Sequence, residues 1–197
     1  MDKFDLYKVD SKYINYLRQY DMNVADPKDF GHTRPYVGIM VYESSKYYWF
    51  APLTSKINKS EFYCVKLYDI DKKPIASVRI NNLIPICKSN TNLFKNLRYD
   101  KLLNSKNEAD RKYGSLLKFE VESMNEPSIK ISIYTKAKKF LHEYSFNQNI
   151  RRISNNFPLL EEKALEFSLD IFKDLNKEFK LEKKNKKTKE LEEELVR

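Results

Sequence analysis

Glycine is nearly missing: Gly31, Gly38 and Gly114 are the three in 197 residues. Their spacing permits no G-x-G-x-x-G, so a glycine loop that cradles phosphate is excluded. Histidine stops at His32 and His142, far apart in sequence, so a paired-histidine nuclease centre is not expected. Cys64 and Cys87 are the two cysteines, each in an apolar, strand-like context and neither close to a histidine. That argues against a Cys/His zinc site and for two small buried hydrophobes in a reducing compartment. The acidic pattern points to no carboxylate-bound metal. No apolar run approaches the ~20 residues of a membrane helix. The opening "MDKFDLYKVDSKY" alternates charge with hydrophobe, so no signal peptide is expected and a cytoplasmic location is.

Positive charge, aromatics and apolar residues are abundant instead. Lys and Arg number 37 against 28 Asp and Glu, a net charge of +9, which suits an anionic partner. Residues 177–197 contribute only +2 of this, so the basic excess lies mostly on residues 1–176. With 41% hydrophobic residues, that length can bury a core without staples. The expectation is one domain over 1–176 followed by a charged, solvated helical tail over 177–197.

Periodicity sets the order of elements. Residues 4–10 alternate like a strand, and 11–21 read as a helix capped by Asp10 or Ser11. Residues 23–35 form a loop; 36–43, 46–53, 61–68 and 75–80 read as strands, with a further short strand in "NNLIPIC" (81–87). Pro52 requires that pairing end, bulge or lie on an edge there. From about residue 90 the chain reads as helical, with helices near 108–122, over 128–145 and from 157, the last carrying Leu160, Ala164, Phe167 and Ile171 on one stripe.

"YYWFAPLTSKINK" (47–59) is the segment with chemistry in it. An apolar strand ends in Thr54 and Ser55, and Lys56 and Lys59 follow. Hydroxyls can bond phosphate oxygens and lysines supply point charges, where a loop leaves a rigid sheet. An ordinary polar turn with solubilising lysines uses the same residues and is the commoner occurrence. In "HTRPYVG" (32–38), Pro35 holds Arg34 extended at the start of a strand, where it could fork onto a phosphate or pack its stem on an aromatic. His32 can exchange protons near neutral pH. Tyr13, Phe30, Tyr36 and Tyr47 lie near these polar segments in sequence and would stack unpaired bases if exposed.

Taken in order, "SKYINYL" (11–17), "RPYVGI" (34–39), "YYWFAPLTS" (47–55), "INNLIPI" (80–86) and "NNFPLLEEKALEF" (155–167) resemble the ToxN/AbiQ family, toxins of type III toxin–antitoxin systems. The resemblance spans 4 to about 168. It implies an α+β fold: a strongly twisted, partly barrel-like antiparallel sheet of the Kid/MazF kind, surrounded by helices, here with a C-terminal helical extension. It implies an endoribonuclease that needs no metal or other cofactor and leaves 2′,3′-cyclic phosphate ends. It also implies RNA partners: mRNA, a precursor antitoxin RNA, and a repeat pseudoknot RNA held in a closed protein–RNA ring, in the service of phage defence. DNA and membrane are not expected.

Residue by residue, Ser55 matches the family's essential serine with Thr54 beside it, and Arg34 falls where the family carries a basic residue. Tyr13 matches a groove-lining tyrosine of the first helix. The family pattern Thr-Ser-Pro-Lys is altered, leaving Lys56 as the expected phosphate contact and Lys59 as the alternative. Phe30 aligns with a tyrosine, so His32 is the expected substitute in proton transfer. Two other classes share the charge and aromatics: a non-catalytic RNA-binding protein on the same fold, and an interaction module docking an acidic partner through its tail.

Overall fold

Alternating residues make the sheet, and a computed structural model describes it over residues 3–27, 37–55, 57 and 63–169. The strands are β1 (Tyr7–Val9), β2 (Val37–Glu43), β3 (Tyr47–Thr54), β4 (Cys64–Tyr68), β5 (Pro74–Arg79), β6 (Ile84–Cys87) and β7 (Phe94–Asn96). Their order is β4-β5-β3-β2-β1-β7, with β6 also paired to β3, and every pair is antiparallel. The sheet curls into a half-barrel with helices packed around it, an α+β fold as expected.

The helices are α1 (Ser11–Arg18), α2 (Asp100–Leu103), α3 (Glu108–Asn125), α4 (Pro127–Tyr144), α5 (Gln148–Arg152) and α6, described over 157–169. Asp10 caps α1 by accepting from the Lys12 and Tyr13 amides at 2.7 and 3.2 Å. Tyr13, Ile14 and Leu17 form its buried stripe. Helix α6 lies on β3 and β6: the Tyr47 hydroxyl donates to the Glu161 carbonyl at 3.1 Å, and Phe157 packs edge-on to Trp49. Both cysteines are buried, the Cys87 thiol pushed up by burial.

Three sequence expectations are corrected. The chain does not turn helical at 90; it first adds β7, which pairs with β1 and completes the sheet edge. At three residues that strand is too short to show an alternation. Of residues 4–10 only Tyr7–Val9 are paired, although Phe4 and Leu6 are buried as the alternation requires. The helix read over 11–21 ends at Arg18, and Tyr20, within that span, is exposed beyond its end.

Pro52 behaves as its missing N–H demands. On one flank of β3 the ladder with β6 runs over Tyr47–Phe50, and the ladder with β5 begins only at Leu53. The proline falls where the partner strand changes, and this hand-over brings the end of β3 beside β5.

Candidate active site

Thr54 is the last residue of β3 and pairs with Ser77 of β5, which in turn pairs with Lys66 of β4. Directly opposed residues share a face of the sheet, so Thr54, Ser77 and Lys66 form one lateral row. Two residues along β5, on that same face, stands Arg79, paired with Cys64. The alternate residues Leu53, Val65 and Val78 project to the other face, and Val65 and Val78 join the core. This split is what alternation requires of β4, "CVKLY", and β5, "PIASVR": apolar on one side, and hydroxyl, amine and guanidinium on the other.

Burial grades the row. Ser55 is exposed, Thr54 and Lys66 are half-buried, and Ser77 is 0% exposed. The Ser77 hydroxyl oxygen and Nε of Arg79 are buried without a hydrogen-bond partner among the described residues. Thr54 and Lys66, by contrast, both engage neighbours. Rigid β-structure thus delivers two adjacent hydroxyls to a strand end, one at the surface and one partly sheltered. Such a pair can hold phosphate oxygens.

Of the residues singled out in the sequence, Thr54 and Ser55 are therefore together at the end of β3. Arg34, Phe30, His32, Lys56 and Lys59 lie outside the described residues. Tyr13 is placed differently from the expectation that it lines a groove. It is 1% exposed, its hydroxyl donates to the Pro85 carbonyl at 2.5 Å, and its ring meets Phe167 edge-on. Burial, with the neighbouring Cys87, Tyr47 and Tyr16, holds its phenol well above the ordinary range. Its role in this structure is to pin α1 to β6 and α6, and no base can stack on it.

Sequence reading passed over Ser77 and Arg79. Within "IASVRI" they look like the solvent side of a half-buried strand. Only the register, which a single strand does not display, puts them beside Thr54.

The motifs "INNLIPI" and "NNFPLLEEKALEF", 75 residues apart in sequence, meet in space. Nδ2 of Asn155 donates to the Leu83 carbonyl at 2.9 Å, and Nδ2 of Asn82 donates to Oδ1 of Asn155 at 3.1 Å. The Asn155 amide bonds the Asn81 carbonyl at 3.0 Å. Nδ2 of Asn82 also reaches the Asn23 carbonyl at 2.7 Å, and Nδ2 of Asn81 the Ile153 carbonyl at 2.8 Å. These asparagines lock the turn that follows Arg79 to the start of α6.

Residues 5–165 match the model of the ToxN toxin of type III toxin–antitoxin systems. The chain is 32% identical over 176 residues to the endoribonuclease ToxN of Bacillus thuringiensis subsp. kurstaki, covering 84% of this chain and 85% of that one. With the endoribonuclease ToxN of Pectobacterium atrosepticum it shares 26% over 171 residues, 82% and 92% of the two chains. Among solved structures it resembles a type III toxin that is selectively inhibited by a non-coding RNA pseudoknot, with a TM-score of 0.72 and 27% identity over 85% of this chain and 99% of that one. The fold is also that of AbiQ, a lactococcal anti-phage endoribonuclease, with a TM-score of 0.69 at 20% identity, 85% of this chain and 99% of that one being covered. A chain matched along most of its length, with the fold those relatives share, belongs to the ToxN toxin family of type III toxin–antitoxin systems.

Proposed function

We infer that this chain is the endoribonuclease toxin of a type III toxin–antitoxin system, and we propose that it cuts RNA without a metal through the hydroxyl pair at the end of β3. The observation that carries the proposal is Thr54–Ser55 at a strand terminus, inside a chain whose residues 5–165 match the ToxN model.

RNA carries its own nucleophile. When the 2′-OH attacks the adjacent phosphorus, the P–O5′ bond breaks, leaving a 2′,3′-cyclic phosphate and a free 5′-OH. The protein has to align that attack, assist proton transfer and offset charge on the non-bridging oxygens. Ser55, exposed, and Thr54, half-buried, hold and polarise the phosphate and its leaving oxygen. Arg34 and Lys56 offset the developing charge, with His32 assisting proton transfer and Phe30 and Lys59 contacting the RNA. The RNA partners are mRNA, a precursor antitoxin RNA and a repeat pseudoknot RNA bound in a closed ring, and the outcome is phage defence. A relative of known structure belongs to a bacterial antiviral system regulated by a processed non-coding RNA, with a TM-score of 0.65 and 25% identity over 84% of this chain.

Incubation of the purified protein with total RNA in EDTA tests this. The expected result is fragments with cyclic-phosphate ends. RNA that is retarded on a gel but never fragmented would instead make the protein a binder only.

A further inference from the structure

We propose that Arg79 and Ser77 of β5 form a second phosphate subsite beside Thr54–Ser55, gripping a backbone phosphodiester of the same RNA strand next to the one being cut. The subsite presupposes the strand-end site proposed above and extends it sideways across the sheet.

Placement comes from register. Ser77 stands directly opposite Thr54, which puts their Cβ atoms about 5 Å apart. Arg79 follows about 7 Å further along β5 on the same face. It sits one position beyond the last β3–β5 pair, Leu53 with Val78, and so beside the break in pairing at Pro52. A long guanidinium side chain at that position reaches the surroundings of Thr54.

Hydrogen bonding supplies the second line of evidence. A buried donor without a partner costs about 1–3 kcal/mol. Among the described residues three buried side-chain donors lack a partner: Nδ2 of Asn90 and two within three residues of one strand, the Ser77 hydroxyl and Nε of Arg79. Ser77 is fully buried and Arg79 half-buried, so the guanidinium meets the ligand while the hydroxyl backs it from the sheet. Groups of this kind persist where a ligand completes them. A phosphate is the ligand whose geometry fits: it accepts two parallel bonds from a guanidinium fork, which a lysine cannot supply. Directly after Arg79, the asparagine-locked turn holds the end of β5 in place. The cation is thus carried on a fixed element, whereas a surface lysine would first have to be immobilised.

The probe is a mixed-sequence, 2′-O-methylated oligoribonucleotide, which cannot attack itself, with affinity followed by fluorescence anisotropy across a salt series. Arg79→Gln is expected to weaken binding about tenfold and to lower the slope of log K against log salt by about 0.7, the value for one phosphate contact to a single strand. Ser77→Ala is expected to weaken binding about threefold with the slope unchanged, since it removes a neutral hydrogen bond. A slope in Arg79→Gln equal to wild type overturns the subsite. Should that variant not fold, the Nε–Hε resonance of Arg79 in the wild-type protein decides: it moves on adding the oligomer if the subsite exists and stays put if it does not. Wild-type protein showing no salt-dependent affinity would defeat the RNA reading as a whole. An unchanged slope in Arg79→Gln alone would defeat only this extension.

Discussion

At the junction of the β5–β6 turn with α6, Asn81, Asn82 and Asn155 each spend a side-chain amide on a partner, and the partners are backbone carbonyls or one another. On β5, a few residues upstream, the Ser77 hydroxyl is just as deeply buried and bonds no described residue. Both places are polar, both lie within the family motifs or against them, and both are shielded from water. In the first every side-chain amide nitrogen has a partner in the chain, with Oδ1 of Asn81 and of Asn82 left without one among the described residues, so its donors specify the fold. The second lies next to two hydroxyls at a strand end, with donors that no described residue answers. Buried donors therefore separate into structural and functional kinds by asking whether the described chain supplies the acceptor.

Substitutions at the two places should fail in different assays, and the widest gap is expected at Ser55. Ser55→Ala should lower the rate of RNA cleavage by about 10²–10³-fold, the loss typical of removing one group that stabilises a charged transition state. Because Ser55 is exposed, the unfolding free energy should stay within about 0.5 kcal/mol of wild type. Rates on a defined RNA and a urea titration, run side by side, check both halves. Undiminished cleavage would remove the proposed site.

Asn155→Ala should do the reverse. It deprives the Leu83 carbonyl of its donor and Nδ2 of Asn82 of one acceptor, in a fully buried setting. At about 1–3 kcal/mol per orphaned group, a loss of about 3 kcal/mol is expected. That corresponds to a fall in melting temperature of roughly 10 °C for a domain of this size. Cleavage measured well below the new melting point should be preserved. A variant as stable as wild type would mean that the asparagines are not the clasp they resemble.

Tyr13 sharpens the comparison, because its sequence motif suggested the site while its surroundings put it with the clasp. Tyr13→Phe removes the bond to the Pro85 carbonyl and should cost about 1 kcal/mol with cleavage unaffected. Its pH dependence has a definite sign. Burial raises the phenol in the folded protein, so above the ordinary tyrosine value of about 10 the unfolded chain releases its proton first. The wild type should then lose stability as pH climbs past that value, and Tyr13→Phe should lose less. Equilibrium unfolding between pH 8 and about 11 reads the difference.

These contrasts also mark what the sequence displayed. Strands β2 to β5, helices α3 and α4 and the stripe of α6 were legible because each is long enough to express its period. Strand β7 was not, since three residues carry no period, and it is held only by pairing with β1. Thr54 and Ser55 were legible as a change of character at a strand end. Ser77 and Arg79 were not, because opposition across β3 and β5 depends on where Pro52 makes the ladder change partner. Tyr13 misled for a related reason: a tyrosine on an amphipathic stripe reads the same whether it faces a groove or the core.

The smallest expected change lies at Ser77, and its sign carries the information. Removing a hydroxyl that bonds to a partner leaves that partner wanting, which is why Asn155→Ala should destabilise. Among the described residues Ser77 has no partner to abandon, and alanine fills nearly the same volume at a site with 0% exposure. Ser77→Ala therefore exchanges an unmet desolvation cost for a methyl group that has none, so the unligated protein should be unchanged or more stable by up to about 1 kcal/mol. The same variant should bind RNA less tightly. Stability that rises while affinity falls is the behaviour of a group kept for a ligand at the expense of the fold. If Ser77→Ala instead lowered stability by an amount like that of Asn155→Ala, the hydroxyl would have to be making a bond within the folded chain, and β5 would belong with the clasp.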